Sequence, residues 1–147
     1  MRILGLDFGT KRIGVALSDE LMITAQGRET IERRDPKSDL EAIKKFIADN
    51  GVTEVVVGLP LNMNGTHSEK TREVIAFVEG LTKSIQVPVK TQDERLTTVQ
   101  AERALLEGDM SRAKRKGLRD MLAAQFILQA YMDSIKRERT DARDQDA

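Results

Sequence analysis

The run Glu54-Val55-Val56-Val57-Gly58 constrains the fold more than any other stretch of this sequence. Three β-branched residues in succession leave no polar position to face water, so a strand built from them needs cover on both faces. Such a strand sits inside a sheet with a layer of structure on each side. The flanking segments supply the layers. Upstream, Asp35-Pro36 pairs a capping residue with proline at the first helical position, and Leu40, Ile43, Phe46 and Ile47 recur at helical spacing until Asn50-Gly51. Downstream, Val74, Ile75, Val78 and Leu81 predict a second helix, and Pro88 to Gln92 a last short strand. Strands joined by helical crossovers run parallel.

The N-terminal segment reads differently. Ile3 to Asp7 predicts a short strand, Gly9 to Arg12 a tight turn, Ile13 to Leu17 a second strand, and Thr24 to Ile31 a third. Short turns between strands make an antiparallel meander. Further helices are expected over Thr97 to Glu107 and about Leu118 to Arg137, the latter with Met121, Leu128, Tyr131, Met132 and Ile135 on one stripe. The 147 residues suit one core. The expectation is a single α/β domain over residues 1–137 and a charged, disordered tail at 138–147.

Composition narrows the function. Lys and Arg together number 24, as do Asp and Glu, so net charge does not announce a nucleic-acid partner. Distribution says more: Arg112, Lys114, Arg115, Lys116 and Arg119 form a basic run, while Asp141 to Asp146 lean acidic. Aromatics at 3% argue against a single-strand binder that stacks bases on rings. The absence of cysteine removes disulfides and thiolate metal sites. The N-terminal apolar run is too short for a signal peptide or membrane span and is interrupted by Asp7, so a soluble cytoplasmic protein is expected.

Asp7, Glu94 and Asp120 are the candidate catalytic residues. Asp7 ends an apolar strand, where a carboxylate is costly to bury unless it is paired. It either caps the following turn or does chemistry. Asp93-Glu94-Arg95 follows the last strand; Asp93 or Thr97 can start the next helix, but Glu94 has no capping position there. Groups at the carboxyl ends of neighbouring parallel strands meet in one crevice, which would join Asp7 and Glu94. Asp120 is read near the start of a long helix, serving either the helix dipole or the same site, with Ala123 and Ala124 allowing close approach to the sheet.

Gathered carboxylates repel one another and resist ionising together, and divalent cations relieve that repulsion. Mg²⁺ and Mn²⁺ take oxygen ligands and support phosphodiester cleavage. His67, the single histidine, lies in a loop and reads as solvated. Asn62, Asn64 and Thr66 either contact a phosphate or ribose or form a turn without a ligand. Lys11, Arg95 and the basic run up to Arg119 would steady a nucleic-acid backbone.

Four segments in order carry a family resemblance: Leu4 to Ala16, Val57 to Thr66, Asp93 to Thr98, and Asp120 to Ala124. The chain resembles the YqgF/RuvX family of Holliday-junction resolvases or pre-16S rRNA nucleases over roughly Arg2 to Met132. The resemblance implies a ribonuclease H-like fold, with a five-stranded mixed sheet whose first three strands are antiparallel. It also implies an acidic Mg²⁺ or Mn²⁺ site in which Asp7, Glu94 and Asp120 match the family's carboxylates. Related junction resolvases carry a further helical Asp one turn earlier; here that position is Gly117.

Maturation of pre-16S rRNA is the expected role, with branched DNA as the alternative substrate and the oligomeric state either monomer or homodimer. A different class is a non-catalytic nucleic-acid-binding factor, against which all three carboxylates speak. Asp7-Phe-Gly-Thr10 also resembles the phosphate loop of actin-like ATPases and sugar kinases, but that fold needs a second lobe and a second such loop, and this sequence shows neither.

Overall fold

The computed structural model describes residues 1–95 and 112–146, with side chains described for 1–95 and 118–140. Strands β1 (Arg2–Phe8), β2 (Arg12–Ser18) and β3 (Ala25–Glu32) come first. Helix α1 (Pro36–Asn50), strand β4 (Val52–Leu59), helix α2 (Glu69–Ser84), strand β5 (Val89–Asp93) and helix α3 (Arg112–Asp146) follow. The sheet order is β3-β2-β1-β4-β5. β1 pairs antiparallel with β2 and β2 with β3, whereas β1–β4 and β4–β5 are parallel. This is the mixed sheet expected from the sequence. The expected helix over Thr97 to Glu107 lies outside the described residues.

Two cores sandwich the sheet. Leu4, Leu6, Val55 and Val57 pack with Ile43 of α1 and with Val74 and Leu81 of α2. Ile3, Ala16 and Val56 pack on the other side with Ala124, Ile127, Leu128 and Met132 of α3. The covered β-branched run of β4 is therefore explained: Val55 and Val57 serve one layer, Val56 the other. The same alternation assigns Asp7 its face. It shares the odd-numbered side of β1 with Ile3, the side that α3 covers.

Local chemistry sets the helix ends. Asp35 accepts a hydrogen bond from the Ser38 N–H at 2.8 Å, Pro36 opens α1, and Gly51, at φ 62°, closes it. In α2, Ser68 Oγ accepts from Thr71 N at 3.1 Å while Thr71 Oγ1 accepts from Ser68 N at 2.9 Å, a reciprocal cap. The Thr71 hydroxyl also donates to the Pro60 carbonyl, tying the start of α2 to the loop after β4.

Helix α3 departs from the sequence expectation at both ends. It begins at Arg112 rather than near Leu118, and it continues through residues 138–146, where a disordered tail was expected. From Leu118 to Asp146 there is no glycine or proline to stop it, and Thr140 Oγ1 bonds back to the Lys136 carbonyl at 3.0 Å. Low hydrophobicity removes packing, not helical propensity. Among the described residues no helix is long and apolar enough to cross a membrane.

The approach of α3 to the sheet depends on Gly14 of β2. A Cβ at this position would overlap the Asp120 carbonyl oxygen of α3. Replacing Gly14 with alanine should push the helix outward and lower unfolding free energy by about 1–3 kcal/mol, the usual range for overpacking. Urea denaturation of Gly14→Ala beside the wild type measures it; unchanged stability would contradict this packing.

Candidate active site

Asp7, Glu94 and Asp120 come from three different elements and line one cavity of about 440 Å³. β1, β4 and β5 run parallel, so their carboxyl ends lie side by side. Leu59 of β4 pairs with Asp93 of β5, and the Glu94 N–H donates to the Leu59 carbonyl at 3.2 Å. That bond carries the strand register one residue further and holds Glu94 against the sheet end. Gly58 makes the room: a Cβ there would overlap both the Glu94 carboxylate and the Ile127 side chain. Asp120 reaches the cavity from α3. Phe8, Thr10, Lys11, Arg12, Pro60, Lys70, Arg119 and Ala123 complete the walls.

Asp120 sits well inside α3, because the helix starts at Arg112. The helix-dipole explanation of this residue therefore lapses, since the dipole acts within the first turn.

The electrostatics follow from crowding acids into a partly dry space. Burial, with the Asp120 carboxylate adding to it and Lys70 and Arg119 opposing, pushes the Asp7 carboxyl up to about 7. Burial likewise pushes Glu94 up to about 8, with Asp7 adding to the shift. Asp120 is raised by burial, against Arg119, Arg12 and Lys70. Asp7 is the electrostatic centre, coupled to both of the others.

Carboxylate oxygens are the donors that hard divalent cations prefer. In chemistry the set fits Mg²⁺ or Mn²⁺. In spacing, no group of three or more Asp, Glu or His among the described residues is already arranged to hold a metal ion. The three acids line the cavity without forming a ready-made cage.

Comparison with known proteins gives the family and the fold. The RuvX family, described as Holliday junction resolvase, matches residues 1–134. The chain belongs to the RuvX family. A relative from Halothermothrix orenii, named as a candidate pre-16S rRNA nuclease, is 54% identical over 136 residues, covering 90% of this chain and 95% of the relative. One of the same name from Moorella thermoacetica is 53% identical, covering 92% and 96%. Among solved structures, fowlpox virus resolvase bound to Holliday junction DNA superposes with a TM-score of 0.58 at 14% identity, covering 92% of this chain and 99% of the resolvase. Thermus thermophilus RuvC with its junction substrate gives 0.54 at 16%, covering 92% and 96%. At those identities the likeness is one of fold.

The other residues singled out in this RuvX-family sequence divide. Lys11 and Arg119 line the cavity. Arg112, Lys114, Arg115 and Lys116 lie on the first turns of α3, with side chains outside the described set. Arg95 is not part of the cavity wall. Its guanidinium pairs with Asp93 at 2.7 Å and donates to the Met63 carbonyl at 3.2 Å, clamping the loop after β4 to the end of β5.

Asn62, Asn64 and Thr66 also stand apart from the cavity wall and satisfy one another. Asn62 Nδ2 donates to Thr66 Oγ1 at 3.0 Å and the Thr66 hydroxyl donates to Asn64 Oδ1 at 2.6 Å. Of the two readings of this loop, the geometry is that of a self-contained turn, closed by Gly65 at φ 83°. His67 is exposed and bridges Leu61 through its backbone. Lys70 is a charged cavity residue that sequence reading missed. Its signal was a cation in the first turn of a helix, at the unfavourable end of the dipole.

The raised carboxyls make the protein's stability pH-dependent. Folded Asp7 and Glu94 hold their protons more tightly than the unfolded chain does, so their contribution is complete below about pH 4 and is lost as pH rises through about 7 to 8. With metal chelated, stability should therefore fall between pH 5 and pH 8. Asp7→Asn should gain about 1–2 kcal/mol over wild type at the upper end, discounted for the open cavity, and little at pH 4. Denaturation curves across that range in a chelator check this. A gain at pH 4 as large as at pH 8 would remove burial of the charge as the cause.

Proposed function

We propose that this RuvX-family protein is a metal-dependent nuclease that hydrolyses phosphodiester bonds in the 5′ extension of pre-16S rRNA. The observation that carries the reading is the meeting of Asp7, Glu94 and Asp120 in one cavity with basic residues on its rim. Support for the substrate comes from relatives above half identity that are named as candidate pre-16S rRNA nucleases. The family's description as Holliday junction resolvase makes a four-way DNA junction the second reading.

Asp7, Glu94 and Asp120 would hold one or two Mg²⁺ or Mn²⁺ ions. When bound, such ions supply an activated water and neutralise charge on the phosphate. The chain's own residues do the rest. Asp7 is held on the rigid end of β1 and Glu94 on the end of β5, so both ligands are placed by sheet hydrogen bonds rather than by a mobile loop. Lys11 and Arg119 give positive charge at the rim, and the basic first turns of α3 lead along the helix to Arg119. Together they would track a sugar-phosphate backbone into the cavity. Phe8 and Ala123 present apolar walls that limit water around the acids. The clamp from Arg95 to Asp93 and Met63 keeps Glu94 in register, a supporting role rather than a contact with substrate. A ribosomal RNA precursor would be met in the cytoplasm.

Purified protein with 5′-extended pre-16S rRNA, and in parallel with a four-way DNA junction, tests the reading in Mg²⁺ or Mn²⁺. The RNA should be cut preferentially, a chelator should stop the reaction, and Asp7→Asn should slow it by about a thousandfold. Preferential cutting of the junction would replace the substrate. Cleavage unaffected by Asp7→Asn would sink the active-site assignment.

A further inference from the structure

Lys70 presents an ammonium that the fold has buried without giving it a hydrogen-bond acceptor. The side chain is 32% exposed along its stem, yet Nζ itself is buried and has no hydrogen-bond partner among the described residues. Glu73 Oε2 stands 3.8 Å away, beyond hydrogen-bonding distance, and the Phe8 ring centroid lies at 5.1 Å. An ammonium has three donors, and leaving them unused in a buried place is costly. The first turn of a helix adds to the cost, because the exposed N–H groups there already carry positive partial charge.

The position is nonetheless firmly specified. Ser68 and Thr71 cap each other on either side of Lys70, and the Thr71 hydroxyl is bonded to the carbonyl of Pro60, itself a wall of the cavity. Lys70 lines the same cavity as Asp7, Glu94 and Asp120 and acts electrostatically on all three. Among the described residues it forms an ion pair with none of them. A lysine serving only as counter-ion would be expected to close on a carboxylate. This one is held short of those three, loosely ion-paired with Glu73 at 3.8 Å and with no hydrogen-bond acceptor among the described residues.

We propose that Lys70 is a substrate-contacting residue whose ammonium donates to a non-bridging oxygen of the phosphodiester being cleaved. The proposal rests on the nuclease reading and adds a residue to it. In hydrolysis a water oxygen forms a bond to phosphorus, the bond to the leaving sugar oxygen breaks, and that oxygen takes up a proton. Negative charge on the non-bridging oxygens rises in between. Lys70 keeps its own protons and would meet that charge with an ammonium already desolvated at the cavity wall, which is where such groups act most strongly.

The test uses Lys70→Met, which keeps the stem and removes the charge, and Lys70→Gln as a second variant, both checked for native denaturation midpoints. Three quantities are read: single-turnover cleavage of 5′-extended pre-16S rRNA, Mn²⁺ affinity of the free protein by calorimetry, and RNA affinity in Ca²⁺ against salt concentration. The expected result is a cleavage rate about a hundredfold lower at saturating Mn²⁺. Mn²⁺ affinity should be unchanged or tighter, and the salt slope reduced by about one phosphate contact. Full recovery of the rate at high Mn²⁺ with an unchanged salt slope would make Lys70 a mere counter-ion and overturn the proposal. If the wild type cuts neither RNA nor junction, the nuclease reading fails by itself, and the salt slope still decides whether Lys70 touches phosphate.

Discussion

The closeness of α3 to the sheet is the constraint from which the rest of the molecule follows. Where β2 would carry a side chain, at Gly14, the backbone carbonyl of Asp120 fills the space. Ala123 and Ala124 continue the thin face of the helix, both buried. With bulkier residues at these points the helix would ride higher, and Asp120 would be withdrawn from the cavity while the second core lost its seal. Packing at this interface is thus also site assembly. Interiors are dense enough that a single methyl group decides such a distance.

That closeness creates the central energetic conflict. Asp7 and Glu94 are pushed far up by burial, and each feels a neighbouring acid. A structure selected only for stability would not gather these groups. Lys70 and Arg119 oppose the shift at Asp7, and the protein tolerates a cation at the wrong end of α2 to achieve it. Local preference and global arrangement disagree at this place, whereas the caps of α1 and the strands of the sheet obey their local rules. Such disagreement concentrates at functional sites.

Much of the fold was legible because its signals are local. Asp35-Pro36 and Gly51 mark α1 through the hydrogen bonds and dihedral angles those residue types allow, and the structure places the helix between them. The valine run marks β4 because nothing polar in it can face water. The extent of α3 is not legible in the same way, because a polar surface resembles that of a disordered tail although no helix breaker is present from Leu118 to Asp146. Residue type alone makes Arg95 a candidate for substrate and leaves the Asn62–Thr66 loop open between a ligand contact and a plain turn. Their hydrogen bonds to Asp93, to Met63 and within the loop depend on register, which residue type does not reveal.

The sequence by itself determined the layered α/β architecture, the antiparallel start and the parallel continuation, and singled out three acids as candidates. Periodicity, capping chemistry and the cost of an unpaired carboxylate at a strand end are all properties of short segments. Only the tertiary structure decided that the three acids share a cavity, that Arg95 belongs to a clamp, and that Lys70 belongs beside Asp7. Those facts turn on distances between segments far apart in the chain. They are set by how closely a helix lies on a sheet, and that closeness exists only once Gly14 and Asp120 have met.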